Sequence, residues 1–279
     1  MTKIVVWGYA LPREWLSQAE SRYLEQLPAK LPSVEWVWTE MDRVWQSSHL
    51  DNTRPLAGQC IDAFYRHPVW LMNGIFTAVD PDSCAHRTAI AACLSQRGAR
   101  TIADFGGGFG ELAREIARRM PDAEVLIVEP FPTRVCSERC RDCVNISLVA
   151  TLADVLCDAV VAQDVLEHVE DPIGLAIDLA SALREGGVVV FANCFYPVIH
   201  CHLPSTFHLR HTFPWVMRAL GLRYKGTVQG AAHAQVYERV GPLNLARARK
   251  AERLSRRVGG GLNAARAALS SFKRRIIRK

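Results

Sequence analysis

The chain has 279 residues, 49% of them hydrophobic and 22% charged, with a net charge of +6 and nine cysteines. That length supports one large core, or one catalytic domain with attachments, and the balance excludes disordered and collagen-like classes. No apolar run reaches the roughly 20 residues that a membrane-spanning helix needs, and nine irregularly spaced cysteines fit thiols in a reducing cytosol better than a disulfide framework.

Residues 3–9 form an apolar strand, with too short an apolar core for a signal peptide. A helix follows from Arg13 to Leu27, with Trp15, Ala19, Tyr23 and Leu27 four apart, and Pro28 and Pro32 end it. The alternation Val34-Glu35-Trp36-Val37-Trp38 reads as a second strand. Six of the seven tryptophans lie between Trp7 and Trp70. Residues 1–75 are therefore expected to form a small α/β accessory unit with its own aromatic cluster. Residues 52–97 read as largely helical.

Strand and helix then alternate. Strands fall at 102–105, 124–128, 146–150, 159–162 and 188–192. Helices fall at 111–120, at 133–143 with Thr133 as N-cap, and at 173–183, the last closed by Arg184-Glu185-Gly186-Gly187. This alternation specifies a doubly wound, mainly parallel sheet, whose ligands sit at the carboxyl ends of the strands near the topological switch point.

The first of these strands runs into Asp104-Phe105-Gly106-Gly107-Gly108-Phe109-Gly110-Glu111. Glycines let a backbone bend sharply and approach a ligand, and the helix that follows offers free N–H groups. A dinucleotide fingerprint would read G-x-G-x-x-G. Here the third glycine is Gly110, and Glu111 would repel a pyrophosphate in the first helical turn. The pattern D-x-G-x-G-x-G resembles motif I of the class I S-adenosylmethionine (SAM) dependent methyltransferases. A second stretch, Gln163-Asp164-Val165-Leu166-Glu167-His168-Val169-Glu170-Asp171-Pro172 followed by Leu183 to Gly187, resembles motif IV of the same family.

The resemblance covers about residues 85–240. It implies a Rossmann-like domain at 76–241 and SAM as cofactor. Asp104, Gly106 and Gly108 would hold the amino-acid portion and Gln163 would lie against the methionine part. Glu129, an acid at the end of the second strand, would accept from the ribose hydroxyls, and Phe131 could pack on the adenine. The segment before motif I would fold over the site as a lid, with Tyr65, His67, Trp70, Asn73 and Phe76 as candidate contacts, packing being the more ordinary reading of each one singly. The usual acid facing the adenine amine is replaced by the Thr151, Leu152 and Asp154 region.

Methyl transfer to a hydroxyl needs a base or a metal. Asp164, Glu167 and His168 are spaced three and four apart, and His168 is the natural general base because its pKa lies near neutrality. Alternatively, Glu167 and His168 cap the next helix or pair with each other. The spacing also resembles the E-x-x-E-H metal ligands of small-RNA 2′-O-methyltransferases and metal-dependent quinone O-methyltransferases. With one of His200, His202, His208 and His211 downstream, it implies a Mg²⁺ or Mn²⁺ site at Asp164, Glu167, His168 and His208. Cys136, Cys140 and Cys143 share a helix face and read as a buried thiol row.

From Leu245 to Lys279 there are twelve Lys or Arg and one acid, Glu252, so the rest of the chain is mildly acidic. Leu262, Ala265, Leu269, Phe272 and Ile276 are spaced as the apolar stripe of a basic amphipathic helix, with Arg266, Lys273, Arg274 and Arg278 between them. Gly259 to Gly261 would separate it from another basic helix. Residues 242–279 thus form a tail suited to an anionic membrane surface or an acidic partner; nucleic acid is a rival, though no nucleic-acid-binding motif accompanies the charge, and a solvated, partly disordered tail is the alternative.

The expectation is a cytoplasmic methyltransferase, peripheral at the inner face of the membrane, that O-methylates a hydroxyl-bearing acceptor such as a glycan. The alternatives are a quinone or natural-product O- or N-methyltransferase, an RNA 2′-O-methyltransferase, and a non-catalytic scaffold.

Overall fold

A computed structural model describes residues 2–56, 58–153 and 155–277, without the side chains beyond Ala268. Asp154, Arg278 and the side chains of Leu269, Phe272, Lys273, Arg274 and Ile276 lie outside the described residues.

The chain opens on a hairpin of β1 (Lys3–Val6) and β2 (Tyr9–Pro12), turned at Trp7 and Gly8, both with positive φ. Helices α1 (Gln18–Glu25), α2 (Val34–Ser47), α3 (Gly58–Tyr65), α4 (Pro68–Val79) and α5 (Pro81–Gln96) lead to the main sheet. Its strands are β3 (Thr101–Phe105), β4 (Glu124–Val128), β5 (Ile146–Val149), β6 (Cys157–Gln163), β7 (Leu183–Ala192), β8 (Leu222–Val228) and β9 (Ala231–Arg239). The helices between and after them are α6 (Glu111–Arg119), α7 (Arg134–Cys140), α8 (Pro172–Ser181), α9 (Phe213–Leu220) and α10 (Leu245–Ile277).

Strand order is β5-β4-β3-β6-β7-β9-β8. β3 to β7 run parallel, and β9 is antiparallel to both its neighbours. Successive residues serve opposite faces, as a parallel sheet buried on both sides requires. Ile102, Ala159 and Val161 join Ile90, Leu94, Leu112 and Ile116, whereas Ala103, Val160 and Ala162 join Ile173, Leu179, Val216 and Met217. Each large side chain so buried contributes about 1.5–3 kcal/mol.

The switch point lies between β3 and β6, whose onward connections leave in opposite directions. The register sets Asp104 beside Val161 and Phe105 beside Ala162. The glycine turn after β3 therefore meets Gln163 and Asp164 at the end of β6, in the crevice where such sheets bind ligands.

Several expectations about elements are corrected. Residues 3–9 are not one strand: the chain turns at Trp7 and Gly8 within them. Residues 34–38 are the first turns of α2, because Ser33 caps the helix and Val37, Met41, Val44 and Trp45 bury one helical face. The helix expected at 13–27 is a short 3-10 turn followed by α1, which Ser17 and Glu20 start with a capping box. Arg184 to Gly187 do not close a helix: α8 ends at Ser181, and these residues form an irregular start to β7, with Gly186 at positive φ. Thr133 does cap α7, accepting from the Cys136 N–H at 3.1 Å.

The N-terminal unit is fastened to the sheet domain through two apolar clusters. Val37, Met41, Trp45, Phe64, Met72 and Phe76 share one cluster with Cys201 and Leu203 of the histidine-rich loop. A second cluster joins Ile4, Leu11, Leu24 and Ile75 to Phe109 of the glycine turn and Val135 of α7. Helix α4 runs across the boundary expected at residue 75.

Candidate functional site

The glycine turn is shaped by what surrounds it. Gly106, Gly108 and Gly110 all have positive φ, a region that side chains resist. A Cβ on Gly106 would stand 2.7 Å from Val165 of the β6 turn, and one on Gly107 would press on the Asp104 carboxylate and Ile127. Gly110 sits over the thiols of Cys140 and Cys136, on which the turn rests, whereas Cys143 of the expected row lies past the end of α7 and is only partly buried. Glu111 pairs with Arg139, whose guanidinium also donates to the Phe109 carbonyl and stacks on the Phe109 ring.

Glu129 holds this turn closed. Its Oε2 accepts from the Gly108 N–H at 2.8 Å and its Oε1 from the Phe131 N–H at 3.0 Å. A carboxylate has about four acceptor positions, so capacity remains for two hydroxyls. Phe131 stacks on Tyr65 at 5.6 Å and 11°, and Tyr65 in turn lies 5.1 Å from Trp70. Of the expected lid residues, Tyr65 and Trp70 thus reach the crevice. His67 instead caps α4, accepting from the Val69 N–H, and Phe76 packs in the core against Trp7.

Among the described residues, four buried polar atoms around the crevice lack partners: Asp104 Oδ2, Glu167 Oε2, Trp70 Nε1 and Asn193 Oδ1. Leaving such groups unpaired costs about 1–3 kcal/mol each, which marks a place for a polar ligand. Burial pushes the Asp104 carboxyl up to about 7, with the Ala113 N–H opposing and the nearby Glu129 adding to the rise.

At the end of β6, Asp164 has φ +52, and its N–H donates to the Ala192 carbonyl at 2.7 Å. A non-glycine residue held there is an uncommon strain that recurs at functional sites. Asp164 is open to solvent, yet crowded by protein, so it lines the crevice floor. That crowding raises its carboxyl pKa, while Gln163, His202 and His86 lower it in part. Gln163 donates to Asp164 at 3.4 Å.

Glu167 and His168 are less available than the spacing suggested. Glu167 is fully buried in the 3-10 turn at 166–168, and its Oε1 accepts from the Cys194 N–H at 2.7 Å. Burial, then the Asp164 charge, lifts its carboxyl to about 8. His168 Nδ1 lies 3.0 Å from the Cys201 carbonyl, and burial drives its pKa down to about 3. It is therefore a neutral imidazole with Nδ1–H donated and Nε2 left as an acceptor. Glu167 and His168 do not cap α8; Asp171 does, accepting from the Gly174 N–H.

The expected metal set is not assembled as such. His208 lies against α10, where its Nδ1 meets Ser255 and its backbone abuts Gly259. The imidazole that joins Glu167 and His168 is His202, 4.9 Å from the His168 ring and donating from Nδ1 to the Tyr196 carbonyl. The sequence carried His202 only as one of four histidines in a loop. His86 on α5 and His233 on β9, which meet at 4.6 Å, had no sequence signal at all.

A family model described as "Methyltransferase domain" matches residues 82–239, more than half of the chain. No curated protein matches the chain. Among solved structures, the chain is similar to a candidate O-methyltransferase from Nostoc punctiforme PCC 73102, at 16% identity and TM-score 0.50, over 76% of this chain and 73% of that one. It is also similar to an O-methyltransferase family protein from Burkholderia thailandensis, at 15% identity and TM-score 0.49, over 81% and 77%. A third is the N-methyltransferase NodS from Bradyrhizobium japonicum WM9 in complex with S-adenosyl-L-homocysteine, at 17% identity and TM-score 0.44, over 71% and 99%. At these identities the likeness concerns the fold alone.

Proposed function

The chain belongs to the methyltransferase-domain family, and on that premise we propose that it uses SAM to methylate a hydroxyl of a polar acceptor such as a glycan. The crevice fits the cofactor. Glu129 keeps acceptor capacity for the ribose hydroxyls, the partnerless Asp104 oxygen suits the amino group, and the Tyr65–Phe131 pair offers an aromatic edge for the adenine. Gly106 and Gly108 keep the turn narrow beside it, and Gln163 flanks the methionine part. Bound there, SAM supplies an electrophilic methyl on a sulfonium.

The observation that carries the oxygen reading is Asp164. It is the solvent-reachable acid at the end of β6, held at positive φ, with its pKa raised. A carboxylate of raised pKa is a stronger base than an ordinary aspartate. It accepts the acceptor's hydroxyl proton, and His202 and His86 lie close enough to bias its charge. His168 and Glu167 act as walls and acceptors rather than as the base, because one resists protonation and the other is sealed. An acceptor nitrogen that is already neutral needs no base before it attacks, so dependence on Asp164 favours a hydroxyl over such a nitrogen.

The basic helix supports a location at an anionic surface, where lipid-linked glycans are assembled. Arg247, Lys250, Arg253 and Arg257 are exposed on α10 together with Leu254. Among the described residues, no helix is long and apolar enough to cross a membrane. A screen of glycan, quinone, small-amine and RNA acceptors with radiolabelled methyl-SAM tests the proposal. Label on hydroxyl acceptors, lost in Asp164→Asn, is expected; label confined to amines or RNA overturns it.

A further inference from the structure

We propose that Glu167, His168 and His202 form a binding site for one divalent first-row transition ion, through a carboxylate oxygen and two imidazole nitrogens. The site differs from the one that the D-x-x-E-H spacing implied, since Asp164 and His208 are not in it. It does not rest on the cofactor reading.

Geometry makes the case. Each of the three side chains offers one donor atom within 4.8 Å of the others. Ligands about 2.0–2.2 Å from a shared ion stand about 3 Å apart, so a shift of an ångström or two closes the set. The imidazoles are already oriented as metal-binding histidines are. His168 donates Nδ1–H to the Cys201 carbonyl and His202 donates Nδ1–H to the Tyr196 carbonyl. Backbone carbonyls that fix the tautomer in this way leave both Nε2 lone pairs for an ion. The carboxylate is prepared too: Glu167 Oε1 is held by the Cys194 N–H, and Oε2 is buried without a partner.

Two imidazoles and one carboxylate select the metal class. Mg²⁺ prefers oxygen donors and retains its waters, whereas two nitrogens suit zinc, manganese or iron in the divalent state with open positions remaining. The ion would join the turn at 166–168 to the loop at 193–203. That loop carries Cys201 and Leu203 into the N-terminal aromatic core. The ion would thus brace the wall beside Asp164, and Trp70, edge-on to the His168 ring at 6.2 Å, closes its other side.

The experiment uses the full chain, untagged and purified without chelator. Elemental analysis should find about one equivalent of zinc, manganese or iron. After EDTA, Zn²⁺ and Co²⁺ should rebind with a rise in Tm, and Mg²⁺ should not. The Co²⁺ complex should show d–d bands without thiolate charge transfer, which excludes capture by the nine cysteines. In His202→Gln and Glu167→Gln the affinity should fall at least about tenfold. No stoichiometric ion, a thiolate spectrum, or unchanged affinity in His202→Gln overturns the proposal. If either variant fails to fold, the wild-type Co²⁺ spectrum decides alone. S-adenosylhomocysteine calorimetry on the same wild-type protein keeps a failed cofactor reading distinct from a failed metal site.

Discussion

The chemistry of the crevice turns on which of its acids can change charge in contact with an acceptor. Glu167 sits in the same turn as Asp164 but is sealed, and Asp104 is 3% exposed behind the glycine turn. Asp164 alone of the three is open. Asp164→Asn should therefore lower kcat by about 10²–10⁴-fold while leaving S-adenosylhomocysteine affinity within a few-fold, as calorimetry would read. Its pKa is raised, so kcat/KM should fall toward acid with an apparent pKa above the ordinary aspartate value of about 3.9. A limb at the ordinary value, or none, would count against Asp164 as the base. Gly106→Ala must adopt φ +72 and meet Val165 at 2.7 Å. The strain and overpacking should cost about 1–3 kcal/mol each, seen as a lower denaturant midpoint.

Individual elements show how far local pattern reaches. The strand–glycine–helix unit at 101–119 and the β6 turn are legible because glycine positions and apolar runs are dictated by backbone geometry. Residues 34–38 were not, since Val34-Glu35-Trp36-Val37-Trp38 alternates over five residues while its helical period emerges only when Met41, Val44 and Trp45 are included. The residues proposed to hold the cofactor near the glycine turn are local to a motif. The pairing of His202 with His168, and the reach of Tyr65 to Phe131, join segments far apart in the chain and have no local signature. Helix α10 is the other correction. Gly259 to Gly261 read as a break, yet the helix runs through them. Gly259 is there because a Cβ would stand 2.5 Å from the His208 carbonyl oxygen, so close packing outweighs helix propensity. Gly259→Ala should lower Tm although alanine is the better helix former. Ala248, Glu252 and Ser255 are buried against the domain, and Glu252 is held by Arg249 and Arg256. Truncation at 244 should therefore destabilise the fold. Membrane contact is better tested by changing Arg247, Lys250, Arg253 and Arg257 to Glu, which should abolish sedimentation with anionic vesicles and spare S-adenosylhomocysteine binding; retained sedimentation would remove the membrane role.

At the scale of the molecule, the buried titratable groups set a pH profile of stability. Asp104 and Glu167 have folded pKa values raised to about 7 and 8, so the stability they contribute is full below about pH 4 and is lost as pH rises toward 8. His168 and His208 are lowered to about 3 and 4, so theirs is full above about pH 6.5 and is lost as pH falls. The opposing slopes offset one another between about pH 4 and 6.5, and above that the carboxyls act alone. Tm of chelator-treated protein should decline from about pH 6.5 to 8, less steeply in Glu167→Gln; an equal slope in the variant would assign the decline elsewhere. The mostly parallel sheet, with Asp104, Glu129 and Asp164 near its switch point, lies within the part of the chain that matches the methyltransferase domain. Calorimetry with S-adenosylhomocysteine should give one site per chain, weakened at least about tenfold in Glu129→Ala, whereas a folded wild-type protein that binds neither S-adenosylhomocysteine nor SAM would exclude SAM from the crevice.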